Sequence, residues 1–305
     1  MNFEVVGYVA SGITTLQISE ERYRVVKSAK ATCLFATELE EKFALLIDNF
    51  YELETELLKL AEASRIWPNR DHRDTMLERL TIDRRLVNLL TACRLYVDQT
   101  DHGISALFGK FSNDLNRIKL FKNQLYDDCW GYRFMEALRN HVQHSGLPIH
   151  IISHNSARVS GVDQDYSQYT VVPQTSVKKL AENSSFKKAI LTELQEMGEQ
   201  IDLRPAIREY IDCFCRLHER IRETITAKLA NDRPVYEAAI VEYSNIEGVA
   251  VRFPHLHKTN EDGTADEEIA LVAHFLDYLD PLRLRNPTNR NLSRTFSANT
   301  DQKRS

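Results

Sequence analysis

The segment 139–144, Arg-Asn-His-Val-Gln-His, places a guanidinium, two amides and two imidazoles within two turns of a predicted helix. Arginine can grip the non-bridging oxygens of a phosphate bidentately and offset charge in a transition state. Histidine can take a proton from a 2′-hydroxyl or give one to a leaving 5′-oxygen, and asparagine can orient either group. Only RNA supplies an internal 2′-hydroxyl nucleophile, so these groups predict RNA cleavage that requires no metal.

A helical wheel at 100° per residue shows which of these side chains share a face. With Asn140 at its centre, the polar side chains within about 60° are Arg133, Glu136, Gln143 and His144. Arg139 and His141 lie at the borders of this face. The opposite, apolar side carries Phe134, Met135, Leu138 and Val142. The helix dipole favours protonated histidine near a C-terminus, and we therefore take Arg139, Asn140 and His144 as the candidate catalytic residues.

Arg139-Asn140, three further residues and His144 resemble the Arg-polar-x3-His motif of the HEPN superfamily. The longer string 132–149 also resembles uncharacterised bacterial proteins with such a motif, and the resemblance covers residues 36–150. Many HEPN proteins are helical-bundle, metal-independent endoribonucleases of toxin–antitoxin, CRISPR-associated and phage-defence systems. By residue, Arg139 and His144 match the catalytic pair and Asn140 matches the polar residue after the arginine.

The resemblance implies a homodimer in which two motifs face each other across a cleft. RNA would be cleaved to a 2′,3′-cyclic phosphate and a 5′-hydroxyl, with no cofactor and no metal. A cellular role in phage defence or as a toxin follows, with an antitoxin or another defence protein as a possible partner. The alternative is a noncatalytic helical interaction or sensor module that dimerises through the same helix face.

Six further side chains are candidates for RNA binding. Arg133 and Gln143 share the polar face of the motif helix. Arg84 and Asn88 lie on a preceding helix, where Asn88 is either a hydrogen-bonded core amide or a wall of the cleft. Lys119 and Lys122 belong to a basic run that is either a solvated helix face or a track for RNA phosphates.

Histidines also raise the question of a metal site. His141 and His144 are three residues apart on one helix, a spacing that can share an ion. The other histidines considered are His150, His154, His255 and His257. No HExxH motif is present and no cysteine or carboxylate completes a set by spacing. The sequence therefore favours no metal centre, and His255-x-His257 is interpreted as a solvated loop pair.

The elements that position the motif follow from apolar residues in steps of three and four. This pattern predicts helices over 36–64, 71–97, 104–126, 129–144, 203–229 and 235–244, with a last helix over 266–279 that ends at Pro281. Residues 147–174 alternate β-branched and turn-forming residues and predict a loop or short hairpin, and 249–253 predict a strand.

The fold class expected is therefore mainly α, an up-and-down helical bundle of HEPN type with a small β-containing insertion. Along the chain we expect an N-terminal segment, a bundle that carries the motif, a loop or β insertion, helices that complete the bundle, and a disordered basic tail with Arg290, Arg294, Lys303 and Arg304. The corresponding ranges are 1–35, 36–146, 147–175, 176–284 and 286–305.

Composition narrows the functional classes. A net charge of −5 argues against a protein that coats nucleic acid nonspecifically, so any contact with RNA must be local. The N-terminus shows no secretory signal, and no apolar stretch reaches the ~20 residues of a membrane span. Five cysteines without a CxxC spacing suit reduced thiols in a cytoplasmic protein. P-loop, dinucleotide-binding, GxSxG and kinase signatures are also missing.

Overall fold

A computed structural model describes residues 1–10, 12–69, 71–160, 165–261, 264–286, 291–295 and 297. The protein is mainly helical with small antiparallel sheets, as the sequence predicts. Its helices are α1 (Glu20–Ile66), α2 (His72–Phe108), α3 (Asn113–Asp128), α4 (Trp130–His144), α5 (Val177–Ala181), α6 (Lys188–Met197), α7 (Leu203–Tyr243) and α8 (Leu276–Arg285). None of the helices in the described part of the chain is long and apolar enough to cross a membrane.

Short strands accompany these helices. They are β1 (Asn2–Val9), β2 (Gly12–Gln17), β3 (Ile151–Val159), β4 (Tyr166–Ser176), β5 (Gln200–Asp202), β6 (Asn245–Ile246), β7 (Val249–Ala250), β8 (Pro254–Thr259) and β9 (Ala265–Ala270). The chain forms two compact units, each assembled from separate stretches. Unit 1 comprises 1–44, 99–116 and 220–287, and unit 2 comprises 45–98, 117–219 and 288–305.

Unit 1 contains a four-stranded antiparallel sheet in the order β2-β1-β8-β9. Val5 and Leu256 face each other across β1 and β8, and both are fully buried. Two side chains of α1 tie the sheet to the helix, because Tyr23 Oη and Lys27 Nζ donate to the Glu267 carboxylate at 2.7 and 2.6 Å. Strand pairing therefore brings residues 2–17 and 254–270, which are far apart in the sequence, into one sheet.

Unit 2 packs α4 among parts of α1, α2, α3 and α7, beside a three-stranded sheet in the order β3-β4-β5. The predicted inner faces of its helices are buried, including Leu86 and Leu89 of α2 and Ile207 and Phe214 of α7. Arg208 of α7 donates two hydrogen bonds to the Glu54 carboxylate of α1, at 2.9 and 2.8 Å. This unit holds the whole motif helix.

Several predicted boundaries differ from the structure. The predicted helix over 266–279 is wrong, because β9 pairs with β8 up to Ala270 and α8 begins only at Leu276. Pro281 lies inside α8 and does not end it. The helices predicted over 203–229 and 235–244 are one helix that continues through Pro234. In addition, α1 begins at Glu20, well before residue 36.

Other boundaries shift by less. Within the range predicted as a loop or hairpin, 147–174, residues 151–159 pair antiparallel with residues 166–174 as β3 and β4. In the C-terminal tail, Leu292–Arg294 form a 3₁₀ turn, and the Leu292 amide and the Ser293 hydroxyl each donate to Asp212 at 2.7 Å. Arg290, Lys303 and Arg304 lie outside the described residues. The division into five consecutive segments stays a prediction.

Candidate functional site

Helix α4 begins in close contact with α7. A Cβ atom on Gly131 would lie 2.8 Å from the Ala206 carbonyl oxygen, so only glycine lets the two backbones approach this closely. The Gly131 amide donates to Glu209 Oε2 at 2.6 Å. The Glu209 carboxylate thus caps one of the first amide groups of α4, which have no partner within the helix, and opposes the positive end of the helix dipole.

The apolar side of α4 is buried as the wheel predicts. Phe134, Met135 and Leu138 are fully buried and Val142 is half-buried. On the same helix, the Tyr132 ring stacks against Phe214 of α7 with the ring centroids 5.9 Å apart. This packing fixes the rotation of α4, and with it the direction in which the motif side chains point.

Arg139 is held by its own helix. Its Nη1 donates to Gln143 Oε1 at 2.8 Å, and Nη2 lies 3.6 Å from Glu136 Oε2. The side chain is 12% exposed, and its Nε atom is buried without a hydrogen-bond partner among the described residues. Tyr210 of α7 donates to Glu136 Oε1 at 2.6 Å, which fixes the carboxylate that orients the guanidinium.

Burial raises the pKa of Tyr210 well above its ordinary value, and the nearby Cys93 and Glu136 side chains add to the shift. Tyr210 therefore stays protonated and remains a hydrogen-bond donor to Glu136. The network Tyr210–Glu136–Arg139–Gln143 links the core of unit 2 to the surface. The network holds the Arg139 guanidinium in place, and the Glu136 carboxylate offsets part of its positive charge.

The other two motif side chains reach solvent. Asn140 and His144 are exposed, and neither makes a hydrogen bond with another described residue. They lie one turn apart on the same face of α4, so one bound group could contact both.

His141 behaves differently from His144. It is 5% exposed, and the Asn183 amide donates to its Nδ1 at 3.0 Å. Its ring also packs edge-on against Phe186. Burial lowers the pKa of His141, which agrees with a neutral ring whose Nδ1 accepts a hydrogen bond. His144 is thus accessible to solvent, whereas His141, which the wheel placed at the border of the polar face, is buried.

A cleft of about 210 Å³ opens beside Asn140. Its basic side chains are Arg94, Lys122 and Lys187. The other lining residues are Val97, Asn123, Tyr126, Tyr132, Glu136 and Asn140. Lys187 Nζ donates to the Tyr126 hydroxyl at 2.6 Å and lies 4.7 Å from the centre of the Tyr126 ring. The motif helix therefore forms one wall of a basic, partly aromatic cleft.

The predicted RNA-binding residues do not all come together. Lys122 is half-buried and lines the cleft, whereas Lys119 is exposed outside it. Arg133 donates to the Asp127 carbonyl at 2.7 Å and to Glu193 at 3.1 Å. Its guanidinium therefore serves the packing of α4.

The remaining predicted contacts lie on two helices. Gln143 is engaged by Arg139. Arg84 and Asn88 are exposed on α2 outside the cleft lining, so the interpretation of Asn88 as a core amide is wrong.

Sequence reasoning missed Arg94, Tyr126 and Lys187 as parts of the cleft. They come from α2, from α3 and from the residue before α6, and no local pattern joins them to the motif. Lys187 was the hardest of the three to predict. It lies 43 residues beyond the end of α4, and only the tertiary fold brings it to the cleft.

The segment after α4 is anchored to α2. The Ile149 amide donates to Asp83 Oδ1 at 3.0 Å, and Arg79 Nη1 donates to the Ile149 carbonyl at 3.2 Å. Asp83 is 1% exposed, and burial raises its pKa to about 6, while the Ile149 amide and the Arg79 charge act in the opposite direction. These contacts fix the chain only five residues beyond His144.

His150 and His154, two of the histidines raised above as metal ligands, have protein partners. His150 Nδ1 accepts the Ser176 amide at 3.1 Å, and burial lowers its pKa to about 4. His154 lies between Ser64 Oγ, at 2.7 Å from Nδ1, and Glu78 Oε2, at 2.9 Å from Nε2. Within the described residues, no three His, Cys, Asp or Glu side chains are grouped so that they could hold a metal ion.

In unit 1, His255 and His257 lie on β8 and are half-buried, with the Glu268 carboxylate 3.8 and 3.4 Å from their Nε2 atoms. The interpretation of these two histidines as a solvated loop pair is therefore wrong.

Comparison with known proteins adds no relative: no family model matches the chain, and no curated protein or solved structure matches it. The HEPN resemblance therefore stays a prediction carried by Arg139, Asn140 and His144.

Proposed function

We propose that this protein is a metal-independent endoribonuclease of HEPN type, with an up-and-down helical bundle as its scaffold. The observation that carries the proposal is the placement of two motif side chains on one face of α4. Asn140 lines a cleft with three basic side chains, and His144 is exposed one turn further along. An RNA strand that follows this face of α4 would bring a phosphodiester within reach of an accessible imidazole.

In the proposed reaction the 2′-hydroxyl oxygen attacks the adjacent phosphorus and the bond from phosphorus to the 5′-oxygen breaks. The 2′-hydroxyl proton passes to a base, and the leaving 5′-oxygen receives a proton. The products are a 2′,3′-cyclic phosphate and a 5′-hydroxyl. His144 is the proton-transfer group, Arg139 offsets phosphate charge, and Asn140 orients the reacting groups.

Arg139 needs one local change for this role. Gln143 is exposed, so its side chain can swing away and release Nη1 to a phosphate oxygen at small cost. Glu136 would keep the guanidinium in place from the other side, since Tyr210 holds that carboxylate. Phosphate would thus replace a neutral amide, and the stronger charge-assisted bond favours the exchange.

The proposal extends to a homodimer in which two motifs face each other, as the resemblance implies. It places the protein in the cytoplasm, in phage defence or in a toxin–antitoxin pair, with an antitoxin or another defence protein as a partner. Each of these points rests on the ribonuclease proposal.

The deciding experiment compares wild type with His144→Ala on a labelled single-stranded RNA, with and without EDTA. We expect a loss of at least ~100-fold in cleavage, the usual contribution of a positioned proton-transfer group. His72→Ala is the matched control, because His72 is also exposed and belongs to unit 2 but lies outside the motif. Cleavage by His144→Ala at the wild-type rate, or products that carry a 5′-phosphate, would refute the proposal.

A noncatalytic interaction module is the second candidate. It is favoured by one observation, the engagement of Arg139 by Glu136 and Gln143 within its own helix. In that case the exposed face of α4 would be a dimer contact. Purified protein that dimerises, leaves RNA intact at high concentration and loses dimerisation on Asn140→Asp would support this candidate over the ribonuclease.

A further inference from the structure

Arg139 and His144 do not line the cleft beside Asn140, and the proposed reaction leaves the role of the cleft open. Of the three catalytic candidates, Asn140 alone lines the cleft, which adjoins the face of α4 that carries His144. We infer that it binds the nucleotide adjacent to the scissile phosphate of a single-stranded RNA. This inference rests on the proposed ribonuclease function and assigns the substrate contacts that the motif leaves open.

The charge of the cleft favours a phosphate. The basic groups on its walls are Arg94, Lys122 and Lys187, and the one carboxylate in the lining is Glu136. Glu136 is already balanced, because Tyr210 donates to it at 2.6 Å and Arg139 lies 3.6 Å from it. Arg94 is paired with Asp98 at 2.7 Å, but both side chains are about half exposed and such a pair is weak. Lys122 and Lys187 add further positive charge to the walls of the cleft.

The size of the cleft favours part of a polymer over a free small molecule. A volume of about 210 Å³ is below the ~300–1,000 Å³ of pockets that enclose a whole small ligand. It suits a single base or a sugar-phosphate group. Tyr126 supplies aromatic surface, and Asn123 and Asn140 supply amides that can pair with base or ribose edges.

The position of the cleft also fits. Asn140 lines it, and His144 lies four residues later, ~6 Å along the helix axis. That separation is comparable with the spacing of neighbouring phosphates in a splayed single strand. A nucleotide in the cleft would place the next phosphodiester at His144.

The test measures binding by fluorescence anisotropy in a His144→Ala background, so that RNA is not cut. Labelled hexamers of RNA and of DNA with the same sequence serve as probes. We expect Lys122→Gln and Lys187→Gln each to weaken binding about five-fold, and to lower the slope of log affinity against log salt by ~0.7. Lys119→Gln, on the same helix as Lys122 but outside the cleft, should stay within two-fold.

Two further measurements show whether binding depends on the charge of Lys187 and on the 2′-hydroxyl of the probe. Lys187→Arg should retain most of the affinity, since the charge is kept. The DNA hexamer should bind comparably to RNA, because phosphate and base stacking do not require the 2′-hydroxyl. Wild-type affinity in both glutamine variants would overturn the inference, and so would an acidic peptide that displaces RNA at equal concentration.

The outcome for the cleft is distinguishable from the outcome for catalysis. If wild type cleaves RNA but the lysine variants bind normally, the cleft assignment fails and the ribonuclease stands. If no RNA is cleaved but the lysine variants lose binding, the ribonuclease proposal fails and the cleft is still a site for single-stranded nucleic acid.

Discussion

Replacing Asp83 by asparagine should change the way in which the stability of unit 2 depends on pH. The Asp83 side chain is buried, with Oδ1 bonded to the Ile149 amide and Oδ2 without a hydrogen-bond partner among the described residues. Burial raises its pKa from 3.8 to about 6, although the Ile149 amide and Arg79 favour the charged form. Ionisation of Asp83 therefore costs more in the folded state than in the unfolded state.

The sign and the size follow from this difference. An acid with a higher pKa in the folded state binds its proton more tightly there, so its stabilising contribution is complete below pH of about 4. That contribution is lost as the pH rises through about 6. A rise of the Asp83 pKa from 3.8 to about 6 corresponds to about 3 kcal/mol in the free energy of unfolding. Because asparagine does not titrate, the stability of Asp83→Asn relative to wild type should rise by about this amount from pH 4 to pH 7.

Urea unfolding followed by tryptophan fluorescence can measure this difference. Both tryptophans of the chain, Trp67 and Trp130, belong to unit 2, and only Trp130 is partly buried and so reports on unfolding. Asp127→Asn is the control, since Asp127 is exposed in the same unit. A difference between Asp83→Asn and wild type that stays constant from pH 4 to pH 7 would show that burial does not shift this carboxyl, and would refute the reasoning.

Two further substitutions test the contacts around α4 and the hairpin. Gly131→Ala should destabilise unit 2 by ~1–3 kcal/mol, because the clash with the Ala206 carbonyl outweighs the better helix propensity of alanine. Gly146→Ala, whose new Cβ would have an ordinary 3.5 Å contact, is its control in urea unfolding, and equal effects would contradict the prediction. His154→Ala should leave the Glu78 carboxylate, 10% exposed, without this partner and speed amide exchange in β3. Unchanged exchange there would mean that His154 does not hold the hairpin.

The sequence was sufficient for the parts of the fold that depend on local spacing. Apolar residues in steps of three and four predicted the buried faces of α2, α4 and α7, because a helix buries residues that are close in the sequence. Strand β9 was mistaken for a helix because Ala265–Ala270 is rich in alanine, aspartate and glutamate. It is a strand because it pairs with β8, and long-range pairing overrides weak local preference.

The sheet of unit 1 shows the same limit more strongly. Asn2 pairs with Thr259, a partner more than 250 residues away in the sequence. No local pattern encodes such a pairing, and the apolar run of β1 is too short to distinguish a strand from a buried helical turn. The sequence also predicted a helix break near Pro234 that the structure does not have. Helix α7 continues through this proline and loses one backbone hydrogen bond there.

In the candidate site, the proposed catalytic residues could be grouped from the sequence because one helix carries them all. The residues that line the cleft could not, because they come from several elements. Arg139, Asn140 and His144 belong to a single helix, so their types and the wheel sufficed to group them. The wheel preferred His144 to His141, which it placed at the border of the polar face. It could not show the contact that closes off His141, since the partner, Asn183, comes from another part of unit 2. Because His141 is buried and bonded to Asn183, His144 is the accessible imidazole of the motif.

The cleft extends this distinction to kinetics. If Lys187 binds only the neighbouring nucleotide, it holds the substrate equally in the ground state and in the transition state, and its loss should raise KM and leave kcat unchanged. Arg139 lies beside the reacting phosphate in the proposal, so its replacement should lower kcat. A residue that only binds the substrate can thus be distinguished from a catalytic residue, because its loss changes KM and the loss of a catalytic residue changes kcat. A Lys187 variant that lowered kcat as much as an Arg139 variant would instead place both side chains at the same phosphate.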